Sequence, residues 1–251
     1  MMNRRYALKA LAGLALCPIC APSSFAAEGA HWGYEGEHGP SHWGDMDAAS
    51  KVCSVGSQQS PIDIQSSIKA KLPPLQIAWR KKPDMIVNNG HTIQINTDPG
   101  NTLKVGKDSY EMLQFHFHHP SEHLIAGKHY PMECHFVHRN KAGTLAVVGA
   151  LMTAGKPNAA FKQIAEAMPA SAGDPVKMKA GVDMNKLLPA KRGYYRYEGS
   201  LTTPPCSEVV NWLLLRDPIH VAQADIDAFA KIFPMNARPA QKDHRRFVLS
   251  S

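Results

Sequence analysis

Three histidines have the type and spacing to hold a metal ion. His116 and His118 stand two apart in Leu113-Gln114-Phe115-His116-Phe117-His118, and His135 follows in Glu133-Cys134-His135-Phe136-Val137-His138. Both runs read as strands, and on a strand alternate side chains share a face. That rule groups Gln114, His116 and His118 on one face, with Phe115 and Phe117 on the other. It likewise groups Glu133, His135 and Val137. Pro120, Gly127 and Pro131 lie between the runs, so the strands can return antiparallel and bring three imidazoles together. Seven of the 13 histidines fall between positions 116 and 138, a concentration that composition alone does not predict.

Three neutral imidazoles with an open fourth position make a catalytic rather than a structural zinc site. Metal-bound histidines need a partner on the other ring nitrogen. Gln114 and Glu133, two residues from His116 and His135 on the same face, suit that task. A His-x-His pair alone would read as a solvated accident; the third histidine and the shared phase turn the reading toward a metal. His138 falls on the opposite face from His135 and reads as structural, while His119 and His123 read as packing or supporting residues. Imidazoles bind several divalent metals, so the ligand set alone does not single out zinc.

Those strands need a sheet around them. Strand-like runs include Met85–Val87, Thr92–Asn96, Glu111–His118, Glu133–His138, Leu145–Leu151 and Val209–Leu215. Two stretches have helical periodicity, Asn158–Met168 and Ala222–Phe233, the second stopped by Pro234. Pro and Gly punctuate the rest, with no repeat and no low-complexity linker. The expected fold is predominantly β, a single domain with short peripheral helices.

Residues 1–26 have the layout of a cleaved export signal. Arg4, Arg5 and Lys9 precede a mostly apolar run to Ile19, and Ser24-Phe25-Ala26 offers a cleavage site. The run is well short of the roughly 20 residues that cross a bilayer, so no membrane anchor is expected after cleavage. General secretion and twin-arginine export both remain open. The domain then occupies 27–251, in the periplasm or outside a bacterial cell. Net charge is +7 for the whole chain, and the charges are interspersed without interleaved aromatics, which gives no support for nucleic-acid binding. Export permits a disulfide. Cys53, Cys134 and Cys206 allow three pairings; the loop-like settings of Cys53 and Cys206 favour those two, and strand-like Cys134 suits a buried free thiol.

Many motifs in order resemble the alpha-class carbonic anhydrases. They include His31-Trp32-Gly33-Tyr34, Gly39-Pro40-Ser41-His42-Trp43, Gln59-Ser60-Pro61-Ile62-Asp63-Ile64 and Asn88-Asn89-Gly90-His91. They continue through Gln114 to His118, Ser121-Glu122-His123, Glu133 to His138, Tyr197 to Pro205, and Asn236-Ala237-Arg238-Pro239. His119-Pro120 is similar to the bacterial and plant branches. The His₃ site with an open position is one for which carbonic anhydrase is itself the standard example.

The resemblance implies a central twisted, mostly antiparallel sheet, the Cys53–Cys206 disulfide, and reversible hydration of carbon dioxide to bicarbonate and a proton through hydroxide on zinc. It implies His116, His118 and His135 as ligands, and Thr202 as the hydroxyl that accepts from that hydroxide and donates to Glu122. Val137, Val147, Leu201 and Trp212 match the apolar wall for carbon dioxide, and Thr203 lines the site. His91 matches the proton shuttle, with Tyr34, Asn89 and Gln94 ordering the connecting waters. Sulfonamide and anion inhibitors are expected, and a homodimer is possible. Gln94 departs from the usual asparagine, and Cys134 and Arg139 are also atypical; none of the three is a ligand.

Two rival readings fit part of the sequence. His116-x-His118-x₃-Glu122 fits the heart of a metal-dependent cupin motif, but no glycine stands six residues before His116 and Gly127 comes too soon. A non-catalytic zinc-binding module on the same scaffold is the other; such relatives typically lack a ligand histidine, and all three are present.

Overall fold

Alternating apolar and β-branched runs separated by turns favour one large sheet over helices. The computed structural model describes residues 32–251. The export segment 1–26, the boundary at 27 and His31 lie outside them. Eight strands frame the site: β1 (Met85–Asn88), β2 (Ile93–Asn96), β3 (Asp108–His118), β4 (Met132–Arg139), β5 (Leu145–Ala154), β6 (Tyr194–Gly199), β7 (Val210–Leu215) and β8 (Leu249–Ser250). Across the sheet they run β1-β2-β3-β4-β5-β7-β6-β8, between short edge strands at Val176–Lys177 and Ile68–Lys69. Neighbours are antiparallel except β5 with β7, and β8 with the Ile68–Lys69 edge. The expected β architecture is present. The strand runs read from the sequence agree to within a few residues, except that β3 begins at Asp108 and β5 runs on to Ala154.

Two helices flank the sheet, α1 (Ala159–Ala165) and α2 (Gln223–Ile232). The Asn158 side chain caps α1 by accepting from the N–H groups of Ala160 and Phe161. The helix stops short of the expected Met168, which precedes Pro169 and is disfavoured in helical geometry. Tyr194–Gly199, rich in Tyr and charge, went unread as a strand, as did the short helices Trp43–Met46 and Val52–Val55.

The sheet separates two cores. One holds Phe115, Phe117, Cys134, Phe136, Val148 and Leu213 with Phe161 of α1 and Phe229 of α2. The other holds Val137, Val147, Leu151, Trp212, Leu214 and Tyr197. A bulge lies between these faces: Val137 pairs with Gln114, but His138 pairs with Met112. Leu113 is therefore the extra residue, and it shifts the phase of β3. Tyr110 and Met112 consequently join Phe115 and Phe117 in the first core, whereas strict alternation would have put them with the histidines. No helix among the described residues is long and apolar enough to cross a membrane.

Candidate metal centre

Register brings the three histidines together. His116 on β3 lies directly opposite His135 on β4, and His118 lies opposite Glu133. Gln94 on β2 pairs with His116 from the other side, and Gly149 on β5 pairs with His135. The donor nitrogens of His116, His118 and His135 lie within 4.8 Å of one another.

Each imidazole has one nitrogen engaged and one spare. Gln114 Oε1 is 2.8 Å from His116 Nδ1, and Glu133 Oε1 is 2.8 Å from His135 Nε2. His118 Nδ1 is 2.7 Å from the carbonyl oxygen of Asn236. Both side-chain partners were foreseen from strand phase. Asn236 was not given a role, because a carbonyl oxygen carries no residue-type signal. His118 Nε2 is buried with no hydrogen-bond partner, an orphan that a metal would satisfy. Burial lowers the pKa of all three rings, that of His118 to about 4, so they are neutral and able to donate a lone pair.

A second cluster of His123, Glu133 and His135 is also tight enough for an ion. Its distances are those of hydrogen bonds. Glu133 Oε1 takes both His123 Nδ1 (2.7 Å) and His135 Nε2, and Oε2 accepts from the His123 N–H at 2.9 Å. The other His123 nitrogen meets the Tyr197 hydroxyl at 2.7 Å, and Tyr197 reaches Ser60. Burial pushes the Glu133 carboxyl up, but His123 and His135 outweigh it and hold it well below the usual range. This cluster aims His135. It is a support rather than a second ion site.

Glu122 is fully buried. Its Oε1 accepts from the Arg238 backbone N–H at 2.8 Å, while Oε2 lies 3.6 Å from His118 Nε2 and 3.8 Å from His135 Nδ1. Burial pushes its carboxyl up to about 7 against the opposing pull of His135 and the nearby Thr202 hydroxyl. Thr202 sits on a loop fastened at both ends. Ser200 and Ser60 exchange hydrogen bonds, each backbone N–H donating to the other's hydroxyl, and Trp212 Nε1 donates to the Ser200 carbonyl. At the other end Cys206 is bonded to Cys53, and Gln59 Nε2 donates to the Cys206 carbonyl. Cys134 is the free, buried thiol. Thr203 also lies on this loop, half-buried.

Beside the histidine row runs an apolar one. Val137, Val147 and Trp212 are successive cross-strand neighbours on β4, β5 and β7, and Leu201 packs against them. Gly149 continues the histidine row opposite His135: a Cβ there would stand 2.7 Å from Leu214 Cδ1 and 3.1 Å from Glu133 Oε1. That close approach arises only from the pairing of β4, β5 and β7 and has no signal in residue type.

His91 follows Gly90, whose φ of +87° lies in the left-handed region that favours glycine. Asn89 Oδ1 accepts from the N–H groups of His91 and Thr92, fixing the turn. The His91 ring stacks on Trp32 at 3.7 Å and 6°. Tyr34 packs edge-on against both Trp32 and Trp43, which also touch each other, and burial, with a smaller contribution from Glu122, raises its hydroxyl pKa well above the ordinary value. Asn89 Nδ2 lies 3.4 Å from Gln94 Oε1, and Gln94 Nε2 donates to Asn96. His138 is buried on the far side of the sheet, stacked on Trp79. His119 Nδ1 meets the Pro234 carbonyl at the surface.

The fold and this histidine cluster define an alpha-class carbonic anhydrase. Residues 38–251 match the family described as eukaryotic-type carbonic anhydrase, and the chain belongs to that family. It is 42% identical over 234 residues to a carbonic anhydrase of Neisseria gonorrhoeae, covering 92% of each chain. It is 40% identical over 228 residues to one of Pectobacterium carotovorum, covering 90% of this chain and 93% of the relative. The solved alpha-carbonic anhydrase of Thermovibrio ammonificans, in complex with the inhibitor sulfanilamide, superposes with a TM-score of 0.86. That match has 42% identity and covers 88% of this chain and 99% of the other.

Proposed function

We propose that this chain is a zinc carbonic anhydrase interconverting carbon dioxide and bicarbonate, with His116, His118 and His135 as the ligands. The observation that carries the reading is the register of β3 and β4. It gathers three neutral imidazoles, each oriented by a partner on its other nitrogen, against an apolar wall. The ligand set and the orphaned His118 Nε2 fit zinc. Zinc, when bound, supplies a Lewis acid that makes hydroxide available from water near neutral pH.

The other residues bind, orient and move protons. Val137, Val147, Leu201 and Trp212 hold a substrate that has neither charge nor dipole, and Thr203 borders it. Thr202 donates its proton to Glu122, so its oxygen can only accept from the attacking group, which selects the reactive orientation. Glu122 has to be ionised for this. Burial opposes that, and a divalent cation beside it favours it. His91, on the turn after Gly90 and stacked on Trp32, passes the released proton to buffer, a task for which histidine is the suited side-chain type. Asn89, Gln94 and Tyr34 order the water between. The protein acts after export to the periplasm or beyond, with residues 1–26 removed, and sulfonamides and small anions inhibit it.

Cobalt(II) substitution tests the ligand set. A strong tetrahedral visible spectrum that sulfonamide perturbs and that His118→Ala abolishes is expected. A weak octahedral spectrum unchanged by His118→Ala would contradict the assignment.

A further inference from the structure

The segment from Asn236 to Arg238 reaches His118 and Glu122 through its backbone. The Asn236 carbonyl meets His118, and the Arg238 N–H donates to Glu122. Its side-chain end is a buried cation. The Arg238 guanidinium is 1% exposed, with Nη1 donating to Gln59 Oε1 (2.9 Å) and the Ser60 carbonyl (2.7 Å) and Nη2 to the Cys53 carbonyl (2.9 Å). Its Cζ lies 5.6 Å from the Trp43 ring centroid. Burial lowers its pKa to about 10, which leaves it charged at neutral pH.

No carboxylate lies within ion-pair distance of it among the described residues. Burying a cation on neutral acceptors alone is expensive, and an apolar side chain would fill the same space at less cost. What the guanidinium grips gives the reason. Cys53 is bonded to Cys206 and Gln59 holds the Cys206 carbonyl, so two of the three acceptors belong to the far anchor of the Thr202 loop, while the third, Ser60, belongs to the near one. One residue thus ties the backbone that aims Glu122 to the loop that carries Thr202.

We propose that Arg238 is a positioning residue that fixes Glu122 and Thr202 relative to each other, so that the Thr202 hydroxyl donates to Glu122 and only accepts from whatever occupies the metal. This rests on the metal site and the Thr202–Glu122 pair described above. Lys at this position keeps the charge but cannot fork to three acceptors. Gln59→Leu cuts the same tie while leaving Arg238 in place.

The test compares zinc-loaded wild type, Arg238→Lys and Gln59→Leu. Zinc content, carbon dioxide hydration, and inhibition by an aromatic sulfonamide and by iodide are measured for each. The sulfonamide nitrogen can donate to Thr202; iodide has no proton to give. Both variants should hold one zinc per chain, lose about ten-fold or more in kcat/KM, and bind sulfonamide less tightly while iodide binds as well or better. A zinc-loaded Arg238→Lys with wild-type kcat/KM, or an equal loss of both inhibitors, overturns the proposal. Should Arg238→Lys fail to fold, the same pair of outcomes is read on Gln59→Leu. A wild type that does not hydrate carbon dioxide, with variants that still shift the two inhibitors in opposite senses, sinks the enzymatic reading and supports the positioning role.

Discussion

The two faces of β3 and β4 are made from the same residues of chain, taken alternately, and have opposite chemistry. On one face Gln114, His116, His118, Glu133 and His135 form a hydrogen-bonded polar row with partners beyond the sheet. On the other Phe115, Phe117, Cys134 and Phe136 lie in hydrocarbon under two helices, with no more than 0% exposure each. The contrast separates two jobs. The apolar face contributes stability by burial and fixes the strands. The polar face, held at its backbone by that packing, spends little adjustment in presenting three nitrogens to one point.

Each substitution below separates those jobs. His118→Ala, on the polar face, should abolish zinc binding and reduce hydration to the background of buffer, measured by metal analysis and stopped-flow; retained zinc with full activity would erase the distinction. Thr202→Ala should keep zinc and lose roughly 10²–10³-fold in kcat, the scale seen when a donor or acceptor that orients the reacting group is removed. Gly149→Ala introduces a methyl against Leu214 and the Glu133 oxygen that aims His135. Zinc affinity should fall about 10–100-fold, read by competition with a chelator. On the opposite face Phe136→Ala should destabilise by about 3–5 kcal/mol in denaturant unfolding, yet leave the activity of the folded, zinc-loaded fraction near wild type.

The smallest expected effect uses a histidine from the apolar side. His138 titrates near 6.5 when unfolded, whereas burial lowers it to about 4 in the fold. Between those values the unfolded chain binds more protons, so stability falls as pH drops through that window, by up to about 3 kcal/mol. Comparison of wild type with His138→Phe in unfolding titrations at pH 7 and pH 4 isolates it. The variant should show a shallower acid loss; parallel losses would mean that His138 is not buried neutral.

The ligand strands were legible because a period of two is written into residue types: Gln, His, His against Phe, Phe. Supporting partners followed wherever they lay two residues from a ligand, as Gln114 and Glu133 do. Partners that come from elsewhere left no such trace. The Asn236 carbonyl is backbone, the His123–Tyr197 contact spans 74 residues, and the room at Gly149 exists only once β5 and β7 are paired. Alternation also failed at Leu113, where one extra residue shifts the phase and puts Tyr110 and Met112 in the apolar core. The Cys53–Cys206 bond was favoured by its loop settings, but its use as an anchor for the Thr202 loop needed the fold.

The most direct test is stopped-flow carbon dioxide hydration by the protein lacking residues 1–26, before zinc removal, after it, and after zinc is restored. Fast hydration that disappears with the metal and returns with zinc is the predicted result. A folded, zinc-loaded protein that hydrates carbon dioxide no faster than buffer would contradict the account.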